Sequence, residues 1–243
     1  MAVAHAAGTP VERVVVAAEE MKDHKAKTLT GKFPYLETPE GCLVESLAIA
    51  GFLAHGKEEI NGSTNLERAK IDEWCQWMVS KVFPAVIKAV YCCFGHIELS
   101  QADFNEGAKA AKDFAREIEK ALTGDFLVGN HATMADYCVG LLFAPVFQTL
   151  LDGGFRKAAP KTSAWFERVC KLPSVVATHG HIKACAKPLK PMSIKVEVKK
   201  VVAKAVEVAK PVEKKPEKNP LELLPETKFD LFNFKTFFVN VKD

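Results

Sequence analysis

A positively charged start, a following apolar stretch and a small-residue cleavage site are all missing from Met1–Pro10, so the chain reads as carrying no secretory signal. No apolar run approaches the ~18 residues that a membrane-spanning helix needs. CxxC spacing is absent too. The seven cysteines (Cys42, Cys75, Cys92, Cys93, Cys138, Cys170 and Cys185) are odd in number and lie in mostly apolar, helical contexts. They read as reduced, packed thiols rather than a disulfide framework or a zinc site. No glycine-rich phosphate loop and no Ser/His/Asp arrangement stands out. Exported, membrane-spanning and disulfide-scaffolded classes are thereby set aside, and a soluble cytoplasmic protein is expected.

What is present is an ordinary globular composition, 48% hydrophobic over 243 residues, with a net charge of +3. The charge is unevenly placed. Lys187–Lys218 holds ten lysines and four glutamates, a local +6 that leaves the rest of the chain at −3. That stretch contains no arginine and no aromatic residue to stack on bases, so it reads as a solvated Pro/Lys spacer rather than a sequence-specific nucleic-acid arm. Beyond it, Phe229, Phe232, Phe234, Phe237 and Phe238 put five phenylalanines into ten residues. Apolar surface of that density calls for something to pack against.

Periodicity supplies the local structure. "TPVERVVVAAEEM" reads as a helix with Thr9 as its cap, Pro10 at its first position and an apolar face through Val11, Val14, Val15 and Ala18. β-Forming residues around Pro39–Gly41 predict a short hairpin, Phe33–Glu37 against Cys42–Val44. "ESLAIAGFLAHG" predicts a helix ending at Gly56. From Ser63 onward the pattern is helical: Thr64 and Glu67 open a long helix that Pro84 should kink, and "SQADFNEGAKAAKDFAREIEKAL" is an amphipathic helix stopped by Gly124. The expected fold is α+β to mostly α.

The most specific local signal is "FLVGNHATMADY". Thr133 and Asp136 have the spacing of a capping box, in which each side chain takes the other's backbone amide at the start of a helix. Stability, not chemistry, is the expected role. Cys92, Cys93 and His96 lack a fourth ligand nearby and read as non-metal residues. His179 and His181 flank Gly180 in a last short helix with surface or capping roles. Trp74, Trp77 and Trp165 read as core.

"FLVG…TMADY" followed by "PKTSAWFERVCKLPSV" resembles the helical domain of the glutathione transferases, and "GKFPYLETPEGCLVESLAIAGFLA" resembles the second half of their thioredoxin-like domain. The resemblance implies a reduced thioredoxin-like subdomain over 1–58, an all-helical bundle over 59–185, a flexible Lys/Pro linker over 186–218 and a further segment over 219–243. It also implies a glutathione site: Phe33 presenting its backbone before a cis Pro34, and Glu45–Ser46 holding the γ-glutamyl carboxylate at a helix start. Two departures stand beside it. No Tyr, Ser or Cys precedes Thr9 to stabilise a thiolate, and the eleven residues Lys22–Lys32 leave no room for the family's second helix.

"KNPLELLPETKFDLFNFKTFFVN" after such a domain and linker resembles the elongation factor 1-gamma family, through Asn219, Pro220, Leu221, Leu224, Pro225, Phe229, Leu231 and Lys235. In that family the phrase opens a second folded domain, so the chain reads as a fragment or as a lineage that ends early. The resemblance implies a non-catalytic scaffold that binds the nucleotide-exchange subunit of the elongation factor 1B complex and, through it, elongation factor 1-alpha. No cofactor is expected except glutathione if the site survives, and homodimerisation is left open. Two alternatives remain: a glutathione-dependent transferase or peroxidase, and an adaptor of an aminoacyl-tRNA synthetase assembly, against which the Asn219–Pro225 phrase counts.

Overall fold

A computed structural model describes residues 1–192; most of the expected linker and the whole phenylalanine-rich segment lie outside the described residues. The chain opens with a short helix α1 (Ala2–Ala6), whose Ala2, Val3 and Ala4 are buried against later helices. The helix expected over 9–21 does not form. Residues 9–17 carry no regular structure, and Val14 and Val15 are 68% and 82% exposed. Three consecutive β-branched valines are poor helix formers, and an apolar face stabilises a helix only when something covers it. Thr9 is no cap: its hydroxyl donates to the Leu53 carbonyl at 2.9 Å. A six-residue helix α2 (Met21–Ala26) does enter the interval that seemed too short for one, although it buries no residue.

The hairpin forms as β1 (Tyr35–Thr38) and β2 (Gly41–Val44), antiparallel, with Tyr35 opposite Val44 and Thr38 opposite Gly41. Gly41 has φ +148, a turn geometry that excludes most side chains. Helices α3 (Ser46–Leu53) and α4 (Glu58–Asn61) complete this part. Then α5 (Asn65–Trp77) starts on the Thr64–Glu67 box, with the Glu67 amide donating to Thr64 Oγ1 at 3.1 Å and the Thr64 amide to Glu67 Oε2 at 3.2 Å. Pro84 has no N–H to give the preceding turn. The backbone accordingly widens to a π-helical turn over Met78–Val82 before α6 (Phe83–Cys93).

α7 (Gln101–Ala121) is capped by Ser100 and ends ahead of Gly124. α8 (Met134–Thr149) is buried on almost every face and packs against α5, α6 and α10. α9 (Gly153–Ala158), α10 (Pro160–Lys171) and α11 (Pro173–His179) close the bundle. The core is built from Ile71, Met78, Ile118, Val139, Phe143, Phe147 and Trp165, with Phe147 stacked on Phe166 at 3.8 Å. Trp74 and Trp77 sit only half-buried at its edge, the Trp77 indole donating to Glu117. Beyond α11 the chain runs back along the bundle: the Cys185 amide donates to the Phe147 carbonyl, Leu189 to Thr149 and Met192 to Cys92. Residues 186–192, read as the start of a flexible linker, therefore lie against the helices.

Asp136 connects three of these pieces. Its Oδ2 accepts from the Thr133 amide at 2.9 Å and the Thr133 hydroxyl at 3.1 Å. Its Oδ1 accepts from the Leu127 amide at 2.9 Å and the Trp165 indole at 2.8 Å. Burial pushes the carboxyl above its ordinary value, and the four donors pull against that rise. Asp136→Ala would strand buried donors on three elements, so a loss of about 3–5 kcal/mol is expected in urea unfolding followed by tryptophan fluorescence. Asp136→Asn keeps one acceptor oxygen and should fall between that variant and the wild type.

Gly107 on α7 lets the backbone approach α6 closely: a Cβ there would lie 2.8 Å from the Ala89 Cβ. Alanine gains about 1 kcal/mol of helix propensity, but overpacking against a rigid methyl costs about 1–3 kcal/mol. Gly107→Ala should therefore lower stability in the same assay, and the added substitution Ala89→Gly should relieve the clash.

Candidate functional site

The residues singled out for glutathione come together at the base of the hairpin. Because Tyr35 pairs with Val44, the strands bring Phe33–Pro34 and Glu45–Ser46 to the same end of the sheet. The Phe33–Pro34 peptide is cis. Glu45 is the residue before α3 and has φ 69, ψ 118; of the described residues other than glycine it alone has positive φ. Backbone forced into that region is held there by its surroundings, and such outliers concentrate at binding sites. No side chain caps the start of α3. Free amides at a helix N-terminus with the Ser46 hydroxyl beside them are a carboxylate-binding arrangement. Phe33, Pro34, Glu45 and Ser46 are all exposed.

Ser46 also borders a cavity of about 170 Å³ between α1, α3, α8 and α11, walled mainly by Leu47, Ala50, Leu53, Leu141 and Leu142. His179 reaches it from the end of α11, its Nδ1 2.8 Å from the Thr178 hydroxyl, and burial holds its imidazolium below the ordinary value. His181 lies past the helix end at Gly180.

Activating a thiol would need a free hydroxyl or a cation near this corner. Thr9 is engaged with Leu53. The Tyr35 hydroxyl is hydrogen-bonded to His24 Nδ1 and reaches Glu37 at 3.4 Å. Desolvation is the main cause that pushes its phenol up, with Lys27 acting the other way, so Tyr35 stays protonated. Cys92 and Cys93 are buried, and His96 packs on the rings of Tyr91 and Phe94. Among the described residues no group of three or more His, Cys, Asp or Glu side chains is placed to hold a metal ion. Thr133 and Asp136 do the structural work described above, with the Thr133 hydroxyl donating to the carboxylate.

Two features here escaped the sequence: the positive φ at Glu45 and the position of Cys138 on the cavity wall. A non-glycine residue gives no compositional sign of its φ. Cys138 could have been found only by knowing which helices meet.

Known proteins match this chain in sequence and in fold. The family model for the glutathione S-transferase N-terminal domain matches residues 1–55, and that for the C-terminal domain matches 82–173. The chain belongs to the glutathione-transferase-like family. Within it, the chain is a homologue of elongation factor 1-gamma. It is 31% identical to a probable elongation factor 1-gamma 1 of Arabidopsis thaliana over 87% of this chain and 55% of that protein. With elongation factor 1-gamma of Artemia salina it is 28% identical over 86% and 56%, respectively. The glutathione-transferase-like chain thus spans about half the length of these curated relatives. Its fold is shared with the GST-like domain of elongation factor 1-gamma from Saccharomyces cerevisiae, at TM-score 0.68 and 20% identity over 78% of this chain and 91% of that one. A glutathione S-transferase from Ascaris lumbricoides has the same fold, at TM-score 0.63 and 20% identity over 76% and 91%. No helix among the described residues is long and apolar enough to cross a membrane.

The Ser46 corner can be probed directly. Calorimetric titration of glutathione into the 243-residue chain, with Ser46→Ala alongside, should show no saturable heat for either protein at millimolar ligand. Saturable binding that disappears in Ser46→Ala would identify a working glutathione site.

Proposed function

We propose that this chain is a non-catalytic scaffold subunit of the translation elongation factor 1B complex, acting in the cytoplasm. Its partner would be the guanine-nucleotide exchange subunit, and through it elongation factor 1-alpha. The observation that carries this reading is the homology to elongation factor 1-gamma along 86–87% of the chain. The local chemistry agrees with it: the Thr9 and Tyr35 hydroxyls, the ones nearest in kind to a thiolate partner, are already engaged. A helix-rich body with an open hairpin is a surface for a protein, and the nucleotide-exchange chemistry would belong to the partner.

A second reading, a weak glutathione-dependent transferase or peroxidase, is supported by the cis Pro34, the Glu45 backbone and the Ser46 hydroxyl lying at one corner. The two differ in what they predict. Affinity capture of the tagged chain from native lysate should enrich the exchange subunit and elongation factor 1-alpha. Enrichment of aminoacyl-tRNA synthetases without the exchange subunit would overturn the scaffold reading in favour of a synthetase adaptor. Conjugation of glutathione to an electrophile that falls on Ser46→Ala would establish the enzyme reading instead.

A further inference from the structure

Two pieces of this chain are built for β-pairing and lack a counterpart. The first is the hairpin, a sheet of two strands in which no residue is fully buried. Such a hairpin is marginal until further strands or a helix support it. Among the described residues, the backbone of β1 bonds to no backbone but that of β2. α2 reaches β1 through side chains alone, His24 to the Tyr35 hydroxyl and Lys27 to Glu37 at 3.3 Å. A strand paired on one side presents alternate N–H and C=O groups on the other, so the outer edge of β1 is left unpaired.

Residues 11–16, "VERVVV", are the converse: a strand-forming sequence with no sheet. No N–H or C=O in this stretch takes part in a hydrogen bond among the described residues, and Val14 and Val15 are strongly exposed. Its β-branched residues, its freedom from Gly and Pro and the cancelling charges of Glu12 and Arg13 all favour strand pairing. The stretch starts at the C-terminal end of α3, where Thr9 donates to Leu53, whereas the hairpin joins α3 at its N-terminal end. Within one copy the two elements do not pair.

We propose that residues 11–16 of one copy add to the β1 edge of a second copy, which returns the same pairing. An antiparallel register with Arg13 opposite Glu37 also sets Val14 against Leu36, Val15 against Tyr35 and Glu12 against Thr38. It joins opposite charges, and a β-branched residue to an aromatic ring, on one face. A shift by one residue puts Val14 against Glu37 and Arg13 against Thr38. A parallel strand holding Arg13 at Glu37 puts Glu12 against Leu36. Because giver and acceptor belong to the same chain, a twofold axis satisfies both at once and each hairpin becomes a three-stranded sheet.

The test is sedimentation velocity of the whole 243-residue chain across a concentration series, with amide exchange of residues 11–16 and 35–38 followed by mass spectrometry. A dimer should form, and both segments should gain protection in step with it. Val14→Pro removes a ladder donor and should leave a monomer, whereas Val14→Thr keeps the branched side chain and should still dimerise. Arg13→Glu should weaken the dimer about tenfold, because it replaces an attraction by a repulsion in each half. A monomer at every concentration would overturn the proposal, as would a dimer that Val14→Pro leaves intact. Protection of residues 11–16 that is independent of concentration would overturn it too, since it would mean pairing within one copy. The wild-type exchange pattern decides the matter even if a variant fails to fold. The purified chain is sufficient, so the outcome is separate from that of the scaffold reading.

Discussion

A buried carboxylate with four donors holds this structure together. Asp136 starts α8 through Thr133, fixes the preceding loop through the Leu127 amide and anchors α10 through the Trp165 indole. Removing it from water is costly, and that cost is offset only if every donor arrives in place. The arrangement is therefore cooperative: loop, helix and indole order together or not at all. The helix that Asp136 positions is also the one that meets α5 and α6, and it supplies Tyr137, Cys138, Leu141 and Leu142 to the cavity wall.

From that fixed centre the hairpin corner inherits its position. α3 packs against α8 and α1, and the direction of α3 in turn decides how the chain must reverse at Glu45. The outcome is a corner shaped like a carboxylate site, with the Thr9 and Tyr35 hydroxyls already directed elsewhere. A fold can keep the geometry of a binding site without the group that made it reactive, because packing maintains the backbone while single side chains change without disturbing it. The chain shares its fold with glutathione S-transferases and with the GST-like domain of elongation factor 1-gamma.

The legible part of the fold was local. The Thr64–Glu67 and Thr133–Asp136 pairs, the turn at Pro39–Gly41 and the break near Pro84 each act over a few residues, and each appears at the place its sequence indicates. The failure was local in form but not in cause. Val11, Val14, Val15 and Ala18 have helical spacing, yet nothing packs on Val14 and Val15, and the chain there stays irregular. Periodicity records which residues would share a face and is silent on whether another surface will cover it.

Spacing alone thus located the helix starts at Thr64–Glu67 and Thr133–Asp136 and the hairpin that precedes α3, whereas the resemblance to glutathione transferases, not spacing, grouped Pro34, Glu45 and Ser46. Tertiary structure decided the rest. Thr9 became a donor to Leu53 rather than a cap, and Asp136 acquired Leu127 and Trp165 as partners. A capping bond closes a ring of a few residues, so its geometry is written in the chain itself. Contacts between residues tens of positions apart exist only after two buried faces have met, and which faces meet is settled by the packing of the whole core.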